Sequence, residues 1–168
     1  MRTLRVSKMP QTEESLRLHG PGHGAVYLVD TDVISEMRKG MRADRGVRGF
    51  FVDVAARGEA VFLSAITVGE LQRGVDLLGH RGDLQQARRL GGWLAEVLSG
   101  YSEFLLEFGA EEAIVWGRLR VPHPENALDK QIAATALTHG FILVTRNVRH
   151  FRDMGVATLD PFTGKQPG

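Results

Sequence analysis

Three short polar stretches each follow directly on an apolar run. Asp30-Thr31-Asp32 follows residues 25–29, and Ser64-Ala65-Ile66-Thr67 follows residues 60–63 and opens the stretch that carries Glu70. Thr145-Arg146-Asn147 follows residues 141–144. Each has an ordinary explanation when taken singly. Asp30 or Asp32 can accept from the free backbone N–H groups that begin a helix, and Asn147 can cap a turn. Asp129 falls in the first turn of a helical stretch, where the helix dipole favours an acid. Helical wheels point further. At 100° per residue, Val68, Leu71, Val75 and Leu78 form one apolar stripe, and Gly69, Gln72, Arg73 and Asp76 share the solvent arc. Glu70 is off that arc, between Ile66 and Leu77, and Asp129 lines up with Ile132, Ala133 and Ala136. Carboxylates turned toward a core are costly unless paired or bound to a cation. Three such acids from separate segments suit a hard divalent ion, Mg²⁺ or Mn²⁺, which prefers oxygen ligands and keeps several waters. An ion held that way can polarise a phosphoryl oxygen and acidify a water, the requirements of phosphodiester hydrolysis.

These residues need elements that bring them to one edge. The runs at 25–29, 60–63 and 141–144 are continuously apolar, as in strands buried on both faces of a parallel sheet. Residues 104–106 and 156–159 are a fourth and a fifth candidate, the last an edge stopped by Asp160-Pro161. Helices are expected over 31–38, 44–57, 65–78, 83–98, 110–119 and 125–139, with Gly140 in the position of a C-terminal capping glycine. Alternation of strand and helix implies an α/β fold with a mostly parallel sheet of four to five strands and helices on both faces. In such sheets ligands sit beyond the carboxyl ends of the strands, where the polar stretches fall.

Composition narrows the class. The chain has 168 residues, 43% of them hydrophobic and 24% charged, which is enough for one real core. No apolar run approaches the ~18 residues that a membrane span needs. Cysteine is absent, so thiolate metal sites, Cys nucleophiles and disulfides are excluded, and a cytoplasmic setting is expected. Residues 1–24 lack apolar periodicity and end in a Gly/Pro/His loop composition; they read as a flexible tail before a domain at 25–168. Net charge is +1, so affinity for a polyanion has to come from local clusters or from a metal. Two clusters qualify: Arg38, Lys39, Arg42, Arg45 and Arg48 against Asp44 alone, and Arg146, Arg149 and Arg152 with His150. Of these, Arg38, Arg42, Arg45, Arg146 and Arg149 are the candidate phosphate contacts. Trp93, Leu94, Val97 and Leu98 form one apolar stripe, and Ile114, Trp116 and Leu119 enrich another; such stripes serve as core, dimer face or partner groove.

Four segments together also carry a resemblance. Val-Tyr-Leu-Val-Asp30-Thr-Asp-Val-Ile-Ser-Glu36, Leu63-Ser-Ala-Ile-Thr-Val-Gly-Glu70-Leu, Leu128-Asp129-Lys-Gln-Ile-Ala-Ala-Thr-Ala and Leu143-Val-Thr-Arg-Asn147-Val-Arg-His-Phe151 occur in order with family-like spacing. The set resembles the PIN-domain family, most closely its VapC/FitB-type toxin ribonucleases. The resemblance implies a three-layer α/β/α fold and a Mg²⁺- or Mn²⁺-dependent endoribonuclease of a type II toxin–antitoxin pair. It also implies a homodimer inhibited by a cognate antitoxin, which can carry the pair onto operator DNA. In the roles it implies, Asp30, Glu70 and Asp129 are catalytic acids, with Asp30 and Asp129 as metal ligands. Thr31, Thr67 and Thr145 would brace the acids or contact phosphate. Two positions depart from the family pattern: Asp32 stands where Asn is usual, and Asn147 stands at a fourth acidic position, where it can orient a water or phosphate but adds no charge. The same residues admit a PIN-type nuclease of RNA processing or of DNA, or a non-catalytic RNA-binding module. A Rossmann-like nucleotide binder would need a glycine fingerprint after the first strand, where Asp30-Thr31-Asp32 stands instead.

Overall fold

A computed structural model describes residues 24–163; the tail expected over 1–24 lies, apart from Gly24, outside the described residues. Five strands form one sheet: β1 (Val26–Val29), β2 (Ala60–Ser64), β3 (Leu105–Leu106), β4 (Ile142–Val144) and β5 (Thr158–Leu159). Their spatial order is β3-β2-β1-β4-β5, and every pairing is parallel. The chain thus builds outward on one side of β1, then returns and builds outward on the other. Order reverses between β1 and β4, where the helices leave the two strands in opposite directions and a crevice opens.

Among the described residues, seven α-helices cover the sheet: α1 (Thr31–Met37), α2 (Arg45–Arg57), α3 (Ala65–His80), α4 (Leu84–Gly100), α5 (Ala110–Leu119), α6 (Ala127–His139) and α7 (Val148–Phe151). Alternate side chains of β1 separate the two cores. Tyr27 and Val29 join Val33, Ile34, Val47, Phe50, Val54, Leu71, Leu94 and Val97 on one face. Leu28 joins Phe62, Ile132, Ala133, Ala136, Leu143 and Phe151 on the other. A sheet buried on both faces gives the continuous apolar runs of its three central strands and the α/β/α layering. Among the described residues no helix is long and apolar enough to cross a membrane.

Element ends differ from the sequence expectation for local reasons. Helices α3 and α4 run on past their last apolar residues, because a helix needs no core contact in its final turn. Helix α6 starts two residues late, since Asn126 adopts a left-handed conformation (φ 55°) that ends the preceding loop. Gly140 caps α6 as expected, at φ 68°. The α4 stripe is core: Leu94 and Val97 are buried, and Trp93 and Leu98 pack on them. The α5 stripe divides. Leu119 packs on the second core, Trp116 donates from Nε1 to the Ala127 carbonyl (3.1 Å), and Ile114 remains exposed.

Candidate active site

The register of β1 on β4 pairs Val29 with Val144, so the next residues, Asp30 and Thr145, lie side by side at the carboxyl ends of the two strands. The Asp30 backbone extends the ladder by donating to the Val144 carbonyl (2.9 Å). Its side chain then does two things. Oδ1 accepts from the Thr31 amide at 2.7 Å, which starts α1 as an N-cap. Oδ2 accepts from the Thr145 hydroxyl, also at 2.7 Å. That hydroxyl in turn accepts from the Asn147 amide (3.1 Å), so the turn after β4 is tied to the acid on β1. Both Asp30 and Thr145 are buried.

Desolvation pushes the Asp30 carboxyl up to about 6; the Thr145 hydrogen bond opposes the shift, and the charges of Asp32 and Asp129 add to it. A carboxyl raised by burial and by two acidic neighbours marks a place where positive charge is wanted. Asp32, half-buried in the first turn of α1, accepts from the Arg146 amide through Oδ2 (3.0 Å). Its Oδ1 is buried without a partner, and desolvation raises this carboxyl as well. Asp129 enters from the first turn of α6, and its Oδ2 lies 2.8 Å from His150 Nδ1. Glu70 is half-buried on α3, and among the described residues no contact ties it to the other acids.

At the switch point the charges of Asp32 and Asp129 both reach Asp30. The collection is looser than the sequence suggests. Among the described residues, no three His, Cys, Asp or Glu side chains close tightly enough to hold an ion by themselves. Each acid is already held by a different neighbour, which keeps the carboxylates apart. Mg²⁺ does not require a full cage, since it dehydrates reluctantly and binds through one or two carboxylates plus waters and substrate phosphate. An all-oxygen donor pair, Asp30 and Asp129, beside an orphaned buried Asp32 oxygen, fits such an ion.

The threonines take distinct places. Thr145 donates to Asp30, while Thr31 supplies the amide that its Oδ1 accepts. Thr67 is fully buried, with its amide donating to Ser64 Oγ (3.0 Å) and its hydroxyl 3.1 Å from the same atom; this pair caps α3. Asn147 is exposed at the start of α7, with no hydrogen bond from its side chain to the helix end. Among the cations, Arg38, Arg42, Arg45, Arg149 and Arg152 are exposed, whereas Arg48 is half-buried with an unpartnered Nε. Arg146 lays its guanidinium over the Phe162 ring at 3.6 Å from the centroid. The tie between His150 and Asp129 escapes sequence reasoning: the residues are 21 positions apart, and nothing in their spacing signals the contact.

Comparison with known proteins identifies the fold and the family. The family model for the PIN domain matches residues 27–157. VapC ribonuclease Y4jK of Sinorhizobium fredii is 33% identical over 144 residues, covering 82% of this chain and 98% of the relative. Toxin FitB of Neisseria gonorrhoeae is 32% identical over 144 residues, covering 82% and 99%. The crystal structure of FitAcB from Neisseria gonorrhoeae superposes with a TM-score of 0.69 at 30% identity, covering 81% of this chain and 98% of that one.

Proposed function

The chain belongs to the PIN-domain family, and from that premise we propose that it is a Mg²⁺- or Mn²⁺-dependent endoribonuclease, the toxin of a VapBC-like toxin–antitoxin pair acting in the cytoplasm. One observation carries the chemistry: the charge-coupled Asp30 and Asp129 at the switch point, with Asp30 raised to about 6. Resemblance over four fifths of the chain to a VapC ribonuclease carries the choice of substrate.

Asp30 and Asp129 would hold the ion. Bound there, Mg²⁺ or Mn²⁺ supplies Lewis acidity toward a phosphoryl oxygen and a water acidic enough to attack at neutral pH. The residues around it do the rest. Thr145 keeps the Asp30 carboxylate oriented through its hydroxyl. Glu70 holds the attacking water, directly or through a second water. Attack at phosphorus in line with the leaving 3′ oxygen gives a 5′-phosphate and a 3′-hydroxyl. The exposed Arg38, Arg42, Arg45 and Arg149, on segments that follow β1 and β4, would take the flanking phosphates. Arg146 would do so over its Phe162 platform.

The same carboxylates suit inhibition by a partner. An antitoxin arginine placed among them would satisfy the charge that a metal otherwise neutralises, through charge-assisted hydrogen bonds. FitAB has been solved bound to a DNA fragment, in line with an antitoxin that carries such a pair onto operator DNA. Homodimerisation is part of the proposal.

The test is cleavage of total tRNA, rRNA, unstructured RNA and DNA by the purified chain, with and without chelator, and mapping of product ends. Mg²⁺- or Mn²⁺-dependent RNA cleavage that is lost in Asp30→Asn, Glu70→Gln and Asp129→Asn is the expected result. Full activity in the three variants, or cutting of DNA alone, would overturn it.

A further inference from the structure

Asp129 and His150 make a contact that the catalytic scheme leaves unused. Asp129 stands in the first turn of α6, where its carboxylate is available to the helix's own free amides; it faces the imidazole instead, Oδ2 to Nδ1 at 2.8 Å. The side chains are 31% and 53% exposed, so the contact lines the rim of the site rather than its floor. What aims the ring is the next residue. Phe151 is fully buried among Leu28, Ile132, Ala133, Ala136 and Leu143, which pins α7 beneath α6. With Phe151 inserted, its neighbour His150 returns to the amino end of α6.

We propose that His150 is a positioning residue for Asp129: its Nδ1–H holds Oδ2 and leaves Oδ1 in a fixed orientation for the metal ion. An ionised carboxylate only accepts, so the proton lies on Nδ1 and the ring acts as donor. A free carboxylate on the first turn of a helix rotates about χ2, and fixing one oxygen removes that freedom before the ion arrives. Outer partners of this kind are worth about 10–100-fold in metal affinity. The inference rests on the proposed ion site, and it assigns to His150 a role apart from the RNA-binding cluster of its arginine neighbours.

Calorimetric titration of the metal-free full chain with Mn²⁺ tests it, with the electron paramagnetic resonance of bound Mn²⁺ as a second readout and thermal melting to verify folding. Four proteins are compared: the native chain, Asp129→Asn, His150→Ala and His150→Asn. Asparagine places its amide nitrogen where Nδ1 sits, so it can restore the donor without the ring. The expected result is a loss of affinity by about 10–100-fold in His150→Ala at an unchanged melting temperature, with most of it recovered in His150→Asn. Equal affinity in the native chain and His150→Ala would overturn the inference while leaving the ion site standing. Tighter binding in His150→Ala would also overturn it, because the imidazole would then compete with the cation. Equal loss in both His150 variants would overturn a donor role. A native chain that binds no Mn²⁺, or binds it no better than Asp129→Asn, would remove the ion site and this inference together.

Discussion

Asp30 sets the behaviour of the site at the residue scale, because its burial makes the ionised form expensive in the metal-free protein. In the unfolded chain this carboxyl loses its proton near 3.8, and in the folded chain near 6. Folding therefore takes up a proton between those values. Stability tied to Asp30 is fully present below the lower value and is lost as pH rises through the upper one, by on the order of 2–3 kcal/mol. Urea titrations in chelator across pH 3.5–7.5 should show this decline in the native chain and a flatter profile in Asp30→Asn; an equal decline in the variant would assign it to another group. Glu36 has the opposite sign. Its buried carboxyl is held below the ordinary range, chiefly by Lys39 (2.6 Å) and also by the Asp44 amide (2.9 Å). Its contribution is present above the unfolded value and is lost as pH falls through the lower, folded one. Thr145→Val tests the brace on Asp30. It removes the donor to Oδ2 and the acceptor for the Asn147 amide, so carbon-detected NMR titration should find the Asp30 carboxyl raised further, with a stability loss of about 1–3 kcal/mol. Periodicity takes Asp129 and Glu70 off the solvent arc, and both are half-buried. Partners were not legible in the sequence: Thr145 is 115 positions from Asp30, and only strand register makes them neighbours.

Elements turn these contacts into geometry through a few close approaches. Gly46 opens α2 against the turn at 161–163, where an added Cβ would lie 2.1 Å from the Pro161 carbonyl oxygen. That atom is backbone and cannot swing aside. Gly46→Ala should therefore cost about 1–3 kcal/mol, measured by urea unfolding. It should also disturb the Phe162 ring that carries Arg146, so RNA affinity should fall along with stability. An alanine variant as stable as the native chain would show that the 161–163 turn moves freely. Sequence reading placed every one of these helices and strands except α7, since continuous apolar runs and 3.6-residue stripes are strong signals. It could not see the Gly46 approach, because a glycine in a first turn looks the same whether or not backbone crosses it.

Charge belongs to the whole molecule. The chain is nearly neutral, yet exposed arginines gather after α1 and along α7, in the segments that follow β1 and β4. In the proposed function a polyanion is held by both the arginines and the ion, so binding should weaken with salt and with chelator independently. Replacing Arg42 and Arg45 by Gln should flatten the dependence of log affinity on log salt by about 0.7 per lost contact for single-stranded RNA. Filter binding to the Glu70→Gln protein, which keeps both ion ligands, measures this without cleavage, and an unchanged slope would move the contact surface elsewhere. Apolar stripes say less at this scale: in the α4 stripe, periodicity alone does not separate core from partner face, and it is the packing that puts Leu94 and Val97 in the core with Trp93 and Leu98 half-buried against them.

The crevice between β1 and β4 has one more consequence, in time rather than in space. Its two walls are translated far apart, Asp30 early and Thr145 115 residues later. A nascent chain still short of β4 has half a pocket and no brace for its buried acid. The site is thus assembled only once β4 has been made, and a partner that reads the complete crevice finds nothing to bind on a shorter nascent chain.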